Sequence, residues 1–379
     1  MHRQRKRWHW AYRKEKGETM EQLPKNKQLE RLVQILEDAS RRKGSDVHVT
    51  PHSPIMIRVD GRLMPETPER MSPAQTEALI FAMLDEEQAE HLKTVGEIDF
   101  AFTVAGRTRI RVNAYKRRGE YAAALRVMSD VIPKPWELGI PKSVVGLTNK
   151  KRGLVLVTGA TGSGKSTTLA SLVEIISEKF PKHIITLEDP IEYLHAHKKS
   201  IVNQREIGFD SDSYANGLRA ALRQDPDVIQ VGEMRDLETI STAISAAETG
   251  HLVFSTLHTN DTSSAIDRMI DVFPPYQQVQ IRIQLASVLE GIIAQQLLPK
   301  IGGGRVAAFE VQLANSAIRN LIRQEKAFQI PSIIQTSAKQ GMILMDDSIF
   351  NLYMQGLITK ETAVTFSQDP TTMAERVKM

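Results

Sequence analysis

The chain has 379 residues, of which 41% are hydrophobic and 25% are charged, a composition typical of a soluble globular protein of two domains and not of a fibrous or disordered one. It contains no cysteine, which excludes disulfide frameworks, thiolate zinc sites and cysteine nucleophiles, and favours a reducing compartment such as the cytoplasm. No apolar run approaches the ~20 residues of a membrane-spanning helix.

The positive charge is concentrated at the beginning of the chain. Residues 1–19 carry a net charge of +5, whereas the whole chain carries +4. The remaining residues therefore sum to −1, and the basic isoelectric point is poor evidence for a nucleic-acid-binding body. We expect residues 1–24 to be a disordered extension. It is a solvated arm, an extra segment before a true start at Met20, or an arm for anionic lipids or nucleic acid.

The first domain is expected over residues 25–128. Apolar residues recur at helical spacing from Lys25 to Lys43, which predicts an amphipathic helix. Short strand-like segments follow, with turns expected at Asp60-Gly61 and Arg118-Gly119 and a helical stretch over Pro73–His91. The predicted strands are Asp46–Val49, Ile55–Val59, Ile98–Val104, Thr108–Tyr115 and Tyr121–Val127. This mixture predicts a small α+β domain.

A cluster of three prolines marks a linker over residues 129–142. From Gly153 onwards, short apolar runs without alternation are separated by helical stretches, which is typical of parallel strands buried on both faces. The strands are predicted at Leu154–Thr158, Ile184–Leu187, Val228–Val231 and Leu252–Thr256, with helices over Lys165–Glu178, Ser213–Arg223 and Leu237–Glu248. We therefore expect a doubly wound α/β domain over residues 143–300. Residues 301–379 are predicted to be mainly helical after a flexible Gly302-Gly303-Gly304 joint.

The segment after the first of these strands matches a phosphate-binding loop. It lies directly between a predicted strand and a predicted helix, as this motif requires. Its glycines let backbone N–H groups turn towards phosphate oxygens, Lys165 neutralises phosphate charge and Ser166 can bind Mg²⁺. The residues predicted to bind the nucleotide are Gly159, Ala160, Thr161, Gly162, Ser163, Gly164, Lys165, Ser166 and Thr167.

Acidic residues follow two other predicted strands. Glu233 comes two residues after the third strand and is our candidate for the base that orients and polarises the attacking water at the γ-phosphate. Glu188, Asp189 and Glu192 follow the second strand and are expected near the metal. Either group alone is typical of solvated loop charge, but the phosphate loop at the same edge favours catalysis. We expect Glu188 to be catalytic and to hold Mg²⁺ together with Asp189 and Ser166.

Two histidines, His251 and His258, flank the strand around Leu252–Leu257, and we expect both close to the same edge. As neutral imidazoles they would form hydrogen bonds near the nucleotide; the alternative is that they are ordinary polar residues at strand ends. A zinc site is disfavoured because no suitable third ligand is apparent nearby.

Four segments resemble, in order, the Walker A, Asp box, Walker B and His box of secretion-superfamily ATPases. They are Gly159–Ser166, Thr186–Tyr193, Asp225–Asp236 and Thr249–Thr259. Within that superfamily the chain is most similar to the type IV pilus retraction ATPases, the PilT family, which Gly44–His48, Arg111–Tyr115 and Ala317–Arg323 also match. The resemblance covers about residues 25–350.

The resemblance implies a RecA-like P-loop ATPase core, a PAS-like N-terminal domain and a helical C-terminal segment. It implies a cytoplasmic homohexamer at the inner face of the membrane, which hydrolyses ATP with Mg²⁺ to drive pilus disassembly. Catalytic roles are implied for His251, His258, Arg109, Arg111 and Arg126, the arginines reaching across the ring to bound phosphates. Each arginine is alternatively a solvated strand residue. The implied partners are an inner-membrane pilus platform protein, pilin indirectly and a paralogous ATPase; no nucleic acid is expected.

Three alternative functions are weighed against this interpretation. Pilus assembly and type II secretion relatives usually carry a four-cysteine zinc insertion, so the absence of cysteine favours retraction. A nucleic-acid-translocating ring is disfavoured because the body of the chain is slightly acidic and has no basic stripe interleaved with aromatic residues. A non-enzymatic nucleotide-binding scaffold is disfavoured by intact Lys165, Ser166, Glu188 and Glu233. One departure from the family is Gln230, at a strand position that is usually aliphatic.

The segment Ala317–Arg323 is predicted to be a helix. The apolar face predicted to dock the helix on the core comprises Ile318, Leu321 and Ile322. The opposite face is predicted to display Arg319, Asn320 and Arg323. Spacing alone indicates an ordinary amphipathic surface helix; the resemblance associates the segment with retraction.

Overall fold

The computed structural model describes residues 27–42, 44–59, 62–104, 108–128 and 131–378. The predicted extension over residues 1–24 and the predicted Asp60-Gly61 turn lie outside these residues. The chain divides into two compact units. The first runs to Val131 and includes Glu192–Leu194, and the second comprises Ile132–Ile191 and His195–Met379.

The described part of the first unit is a six-stranded antiparallel sheet with three helices. The helices are α1 (Lys27–Arg41), α2 (Pro73–Ala82) and α3 (Glu86–Val95). The strands are β1 (Asp46–Val49), β2 (Met56–Val59), β3 (Arg62–Pro65), β4 (Glu97–Val104), β5 (Thr108–Arg117) and β6 (Glu120–Val127), in the sheet order β3-β2-β1-β6-β5-β4. Alternate strand residues such as Ile57 and Val112 are buried in one core with helix residues such as Leu36 and Leu92, which leaves the other face of the sheet for polar side chains.

The helical stretch predicted over Pro73–His91 is two helices. The second begins at a reciprocal cap, in which the Gln88 N–H donates to the Asp85 carboxylate at 2.8 Å and the Asp85 N–H donates to the Gln88 side-chain oxygen at 3.2 Å. A capping residue has extended backbone, so this cap interrupts the helical pattern between α2 and α3. Gly96, with a φ of 96°, then ends α3.

The second unit is built on a seven-stranded sheet. Its strands are β7 (Gly153–Thr158), β8 (His183–Glu188), β9 (Ile201–Glu206), β10 (Val228–Val231), β11 (Leu252–Leu257), β12 (Leu289–Pro299) and β13 (Arg305–Leu313). The sheet order is β13-β12-β7-β11-β10-β8-β9, and neighbouring strands are parallel except for the antiparallel pair β12 and β13. All residues of β7, β10 and β11 are buried, so the prediction of parallel strands covered on both faces is confirmed.

Residues 131–141 form neither helix nor strand. The helices that follow them cover both faces of the seven-stranded sheet. They are α4 (Lys142–Gly146), α5 (Lys165–Lys179), α6 (Tyr214–Ala221), α7 (Leu237–Glu248), α8 (Thr262–Asp271), α9 (Pro275–Val288), α10 (Ser316–Arg323), α11 (Ile330–Thr336), α12 (Met345–Met354), α13 (Lys360–Phe366) and α14 (Pro370–Arg376). Among the residues that the structure describes, no helix has both the length and the apolar character needed to cross a membrane.

The C-terminal region differs from its prediction at its start. Strand β13 pairs with β12 over nine residue pairs, from Gly291–Leu313 to Pro299–Arg305. The three glycines form the turn of this hairpin, with φ angles of 85°, 100° and 77°, and the Lys300 N–H donates to the Gly304 oxygen at 3.1 Å. The predicted joint is therefore the turn between two paired strands, because left-handed glycine backbone closes a hairpin here. The helices α12 to α14 then pack on this hairpin through a separate apolar cluster.

Candidate nucleotide-binding and catalytic site

The phosphate loop lies between the end of β7 and the start of α5. Gly159, Gly162 and Gly164 have φ angles of 146°, 79° and 93°, conformations that side chains disfavour. The buried Lys165 is the first residue of α5, and its Nζ donates to the backbone oxygens of Gly159 at 2.8 Å and Ala160 at 3.1 Å. The lysine charge therefore lies inside the turn of the loop, as cradling a phosphate requires.

Strand β12 supports the loop through Gln295, a residue that the sequence analysis missed. The buried Gln295 side chain accepts a hydrogen bond from the Thr168 hydroxyl of α5 at 2.7 Å. A Cβ atom on Gly159 would lie 2.4 Å from the Gln295 backbone oxygen, and one on Gly164 would lie 2.8 Å from its side-chain nitrogen. Packing against backbone therefore requires glycine at position 159, whereas at position 164 the left-handed backbone conformation is the stronger constraint. No sequence signal links residues so far apart.

The strand register brings Glu233 level with the end of β7. Val231 and Leu156 are aligned across the intervening strand β11, so two residues further along each strand reach Glu233 and Thr158. Two strand spacings, about 10 Å, separate these two strands in the sheet. The expectation that Glu233 and the phosphate loop share the carboxyl edge of the sheet agrees with this register.

Two basic side chains contact the Glu233 carboxylate. The Arg235 guanidinium lies 2.6 Å from Oε2, and the His258 Nε2 lies 3.1 Å from Oε1. Burial alone would raise the pKa of Glu233, but the hydrogen bond from Arg235 and the charges of Arg235 and His258 outweigh it and lower that pKa. The backbone beside it is fixed by the Thr256 hydroxyl, which donates to the Gly232 oxygen at 2.6 Å. Glu233 is therefore an ionised carboxylate at neutral pH.

The half-buried Tyr214 interacts electrostatically with carboxylates from both acidic groups. Burial, together with the negative charges of Asp189, Glu233 and Glu188, raises the pKa of Tyr214 well above its ordinary value. Glu188 itself accepts hydrogen bonds from the Thr186 hydroxyl at 2.6 Å and from the Gln204 side chain at 3.0 Å. The structure thus brings carboxylates from the ends of β8 and β10 to one side of the phosphate loop.

The residues predicted to bind magnesium lie on separate elements of the second unit. Within the described ranges, no three His, Cys, Asp or Glu side chains converge on a point that could hold a metal. Ser166 is exposed at the first turn of α5, while Glu188 and Asp189 belong to another strand end. Mg²⁺ in nucleotide sites is bound by one or two protein oxygens, and phosphate oxygens and water complete its shell. Ser166, Glu188 and Asp189 are oxygen donors of this type.

One predicted site residue lies elsewhere. His251 precedes β11, so it sits at the amino edge of the sheet, about six residues of strand, or ~20 Å, from His258 at the carboxyl edge. Its Nδ1 lies 2.9 Å from the Ala246 oxygen at the end of α7. The expectation that His251 lies close to the phosphate-loop edge is wrong, because residues that flank a strand are separated by the length of that strand.

The three predicted arginines share one face of the sheet in the first unit. Arg111 and Arg126 are directly paired on β5 and β6, and Arg109 is two residues before Arg111. Neighbouring pairs and residues two apart point to the same face, here the one opposite the core. Arg126 donates through Nε to the Asp46 carboxylate at 3.0 Å. The first unit therefore carries the three arginines on one face of its sheet, with Arg109 only partly exposed.

Helix α10 confirms one part of its prediction and corrects another. Ile318 and Ile322 are buried, as expected. Arg319 is not displayed: its guanidinium donates to the backbone oxygens of Ala286 at 2.6 Å and Ser287 at 2.8 Å, the last turn of α9, and contacts Glu290 at 3.2 Å. The long arginine side chain turns back to cap a neighbouring helix, which helical spacing does not reveal.

The chain is similar to proteins of known families along most of its length. A family model described as "Type II/IV secretion system protein" matches residues 22–303. A type IV pilus retraction ATPase, PilT, of Pseudomonas aeruginosa is 44% identical over 332 residues, which cover 88% of this chain and 96% of that protein. A twitching motility protein of Neisseria gonorrhoeae is 44% identical over 320 residues, which cover 84% of this chain and 86% of that protein.

Two solved structures resemble this one. The crystal structure of the pilus retraction motor PilT with bound ADP has a TM-score of 0.84 and 50% sequence identity, and the match covers 90% of this chain and 98% of that chain. The X-ray structure of the Legionella pneumophila ATPase DotB has a TM-score of 0.76 and 30% identity, and the match covers 91% of this chain and 97% of that chain.

Proposed function

The chain belongs to the family of type II/IV secretion system proteins, and on that premise we propose that it is an ATPase whose hydrolysis of ATP powers retraction of a type IV pilus. One observation carries the proposal: the phosphate loop and the ionised Glu233 lie at the same edge of the sheet in a chain that is 44% identical to a pilus retraction ATPase. Loop, lysine and carboxylate together are what in-line displacement at a γ-phosphate needs.

In this mechanism the loop residues Gly159–Thr167 bind the triphosphate through backbone N–H groups, and Lys165 neutralises its negative charge. Glu233 orients the attacking water and polarises it towards the γ-phosphate, while Arg235 and His258 keep the carboxylate ionised and in place. Bound Mg²⁺ would supply further charge neutralisation on the phosphates, with Ser166, Glu188 and Asp189 as its protein donors.

We further propose a homohexameric ring in which Arg109, Arg111 and Arg126 of one subunit reach the phosphates bound by a neighbouring subunit. An arginine supplied in trans can contribute about a thousandfold or more to phosphoryl transfer. The test is complementation: a chain with Lys165→Ala is mixed with a chain lacking one of these arginines, and phosphate release is measured. Mixed rings should regain part of the activity, whereas a chain carrying both defects is the control that restores none. Absence of restoration for all three arginines refutes this arrangement.

The cellular role is tested by imaging surface pili with and without this protein. Retraction predicts that deletion leaves excess pili that do not shorten, because extension continues unopposed. Cells without pili would instead assign the protein to assembly, the activity of other ATPases in this superfamily. The proposed location is the cytoplasmic face of the inner membrane, where the motor would act on a pilus platform protein and, through it, on pilin, alongside a paralogous ATPase.

A further inference from the structure

A cleft of about 440 Å³ adjoins the phosphate loop in the second unit. One wall is the loop itself, from Ala160 to Ser163, and its floor includes Leu297 of β12. The opposite wall comes from Arg305 of β13 and from the turn Phe366–Gln368, between α13 and α14. None of the residues predicted from sequence to bind the nucleotide lies in this turn.

The sheet order separates this cleft from the catalytic carboxylates. On one side of β7 lie β11, β10 and β8, which deliver His258, Glu233 and Glu188. On the other side lies β12, whose Ala294 is paired with Thr158, so that Gln295 and Leu297 flank the phosphate loop. A bound triphosphate whose terminal phosphate points towards Glu233 must therefore direct its sugar and base away from Glu233, towards β12 and β13.

We propose that this cleft binds the nucleoside part of the substrate, with Phe366 packing against the base and Gln368 forming hydrogen bonds with its polar edge. The inference rests on the proposed function, since it assumes that the phosphate loop holds a nucleotide. It makes the C-terminal helices part of the nucleotide site, although they follow the α/β sheet in the chain and carry no phosphate-binding motif.

The wall formed by residues 366–368 is held in place by hydrogen bonds. The Asp346 carboxylate, in the first turn of α12, accepts the Gln368 N–H at 2.7 Å and the Asp369 N–H at 3.0 Å. The Ser367 hydroxyl donates to the Val364 oxygen at 2.9 Å. Phe366 is half-buried against the apolar cluster of the C-terminal helices and also lines the cleft, so part of its side chain is packed and part is exposed to the cleft. A wall of this kind is organised before the ligand arrives, which reduces the entropic cost of binding.

The start of α12 is held on the sheet by a buried glutamate. The buried Glu310 of β13 accepts the Met345 N–H at 3.2 Å at the start of α12, and the Thr262 N–H at 2.8 Å at the start of α8. The position of the turn is therefore set by the same sheet that carries the phosphate loop. The chemistry of the lining suits a nucleoside, because an aromatic ring stacks on a base and a side-chain amide both donates and accepts hydrogen bonds.

The test compares a ligand that has a nucleoside with one that lacks it. Isothermal titration of the full chain with ADP and with pyrophosphate gives both affinities for wild type, Phe366→Ala, Phe366→Leu and Gln368→Ala. Phe366→Leu keeps apolar packing and removes only the ring, which guards against misfolding. Phe328→Ala is the matched control, because Phe328 is 73% exposed and lies outside the cleft.

Loss of one base-stacking contact corresponds to a weakening of about tenfold. We expect each Phe366 variant to bind ADP about tenfold more weakly and pyrophosphate within twofold of wild type, with Phe328→Ala unchanged for both ligands. Gln368→Ala should also reduce the preference for ADP over GDP. Unchanged ADP affinity in the Phe366 and Gln368 variants overturns the proposal, as does an equal loss of pyrophosphate affinity. If wild type binds neither ligand, the proposed function itself fails, and this outcome differs from a failure of the cleft proposal alone.

Discussion

Replacing Glu233 with Gln tests the proposed chemistry at its centre. The substitution keeps the size and hydrogen-bonding capacity of the side chain but removes its negative charge. Because the pKa of Glu233 is lowered by Arg235 and His258, the carboxylate is ionised at neutral pH, and the variant loses a full charge at the point where water must be polarised. Turnover should fall by about two to four orders of magnitude, equivalent to ~2.7–5.5 kcal/mol of activation free energy.

Nucleotide binding and folding should change little in this variant. Glu233 follows β10 and is no part of the phosphate loop, so ADP should bind within about threefold of wild type. The ion pairs that are lost involve Arg235, 76% exposed, and His258, 39% exposed, and partly exposed pairs contribute less than about 1 kcal/mol to the free energy of unfolding.

The assay is phosphate release at saturating ATP, with ADP affinity measured in parallel by titration. Glu248→Gln is the matched control, because Glu248 is an exposed residue at the end of α7, beside the amino edge of the sheet. Its turnover should equal that of wild type. Turnover of Glu233→Gln within threefold of wild type would remove Glu233 from the chemical step. Loss of ADP binding would instead mean that the carboxylate supports the loop.

Lys165→Ala should weaken ADP and ATP binding itself, as measured by titration; normal affinity would contradict the phosphate-loop assignment. Arg319→Ala should lower the free energy of unfolding by about 1–3 kcal/mol in urea, since it leaves helix-end carbonyls of α9 without their donor, whereas exposed Arg323→Ala should change it by less than about 0.5 kcal/mol. Equal stability of the two variants would refute the capping role. The pKa of Glu174 is lowered from 4.5 to about 2, since hydrogen bonds from His195 and Lys198 outweigh burial, so its stabilising contribution is present above pH 4.5 and is lost as pH falls towards 2. The difference in unfolding free energy between wild type and Glu174→Gln should shrink as the pH falls from 4.5 towards 2. A constant difference would refute a stabilising contribution from the ionised Glu174 carboxylate.

Local patterns in the sequence determined the parts of the site that lie on contiguous segments. A glycine-rich loop between an apolar strand and a helix is recognisable because the motif and its structural context occupy one continuous segment, Leu154 to Glu178. Non-alternating apolar runs predicted buried parallel strands, and the position of Glu233 after one of them predicted its edge of the sheet. These inferences need only the direction of each strand, which the alternation of strands and helices supplies.

Sequence patterns were insufficient where position depends on distant partners. His251 and His258 are seven residues apart in sequence, yet an intervening strand carries them to opposite edges of the sheet. Arg319 has the spacing of an exposed position, but its side chain reaches the end of α9. Strand β13 was missed because its buried Glu310 and Gln312 break the apolar pattern, and their burial is tolerated only in the folded context, where helix N–H groups bond to Glu310.

The sequence by itself therefore determined the phosphate-loop motif and the strand that Glu233 follows. The tertiary structure decided which other side chains meet them. Gln295 under the loop, Tyr214 among the carboxylates and the turn at Phe366 are brought to the site by strand pairing and helix packing between segments far apart in sequence. Such contacts leave no local periodicity, because the burial and hydrogen bonding that select each residue exist only after the sheet has formed.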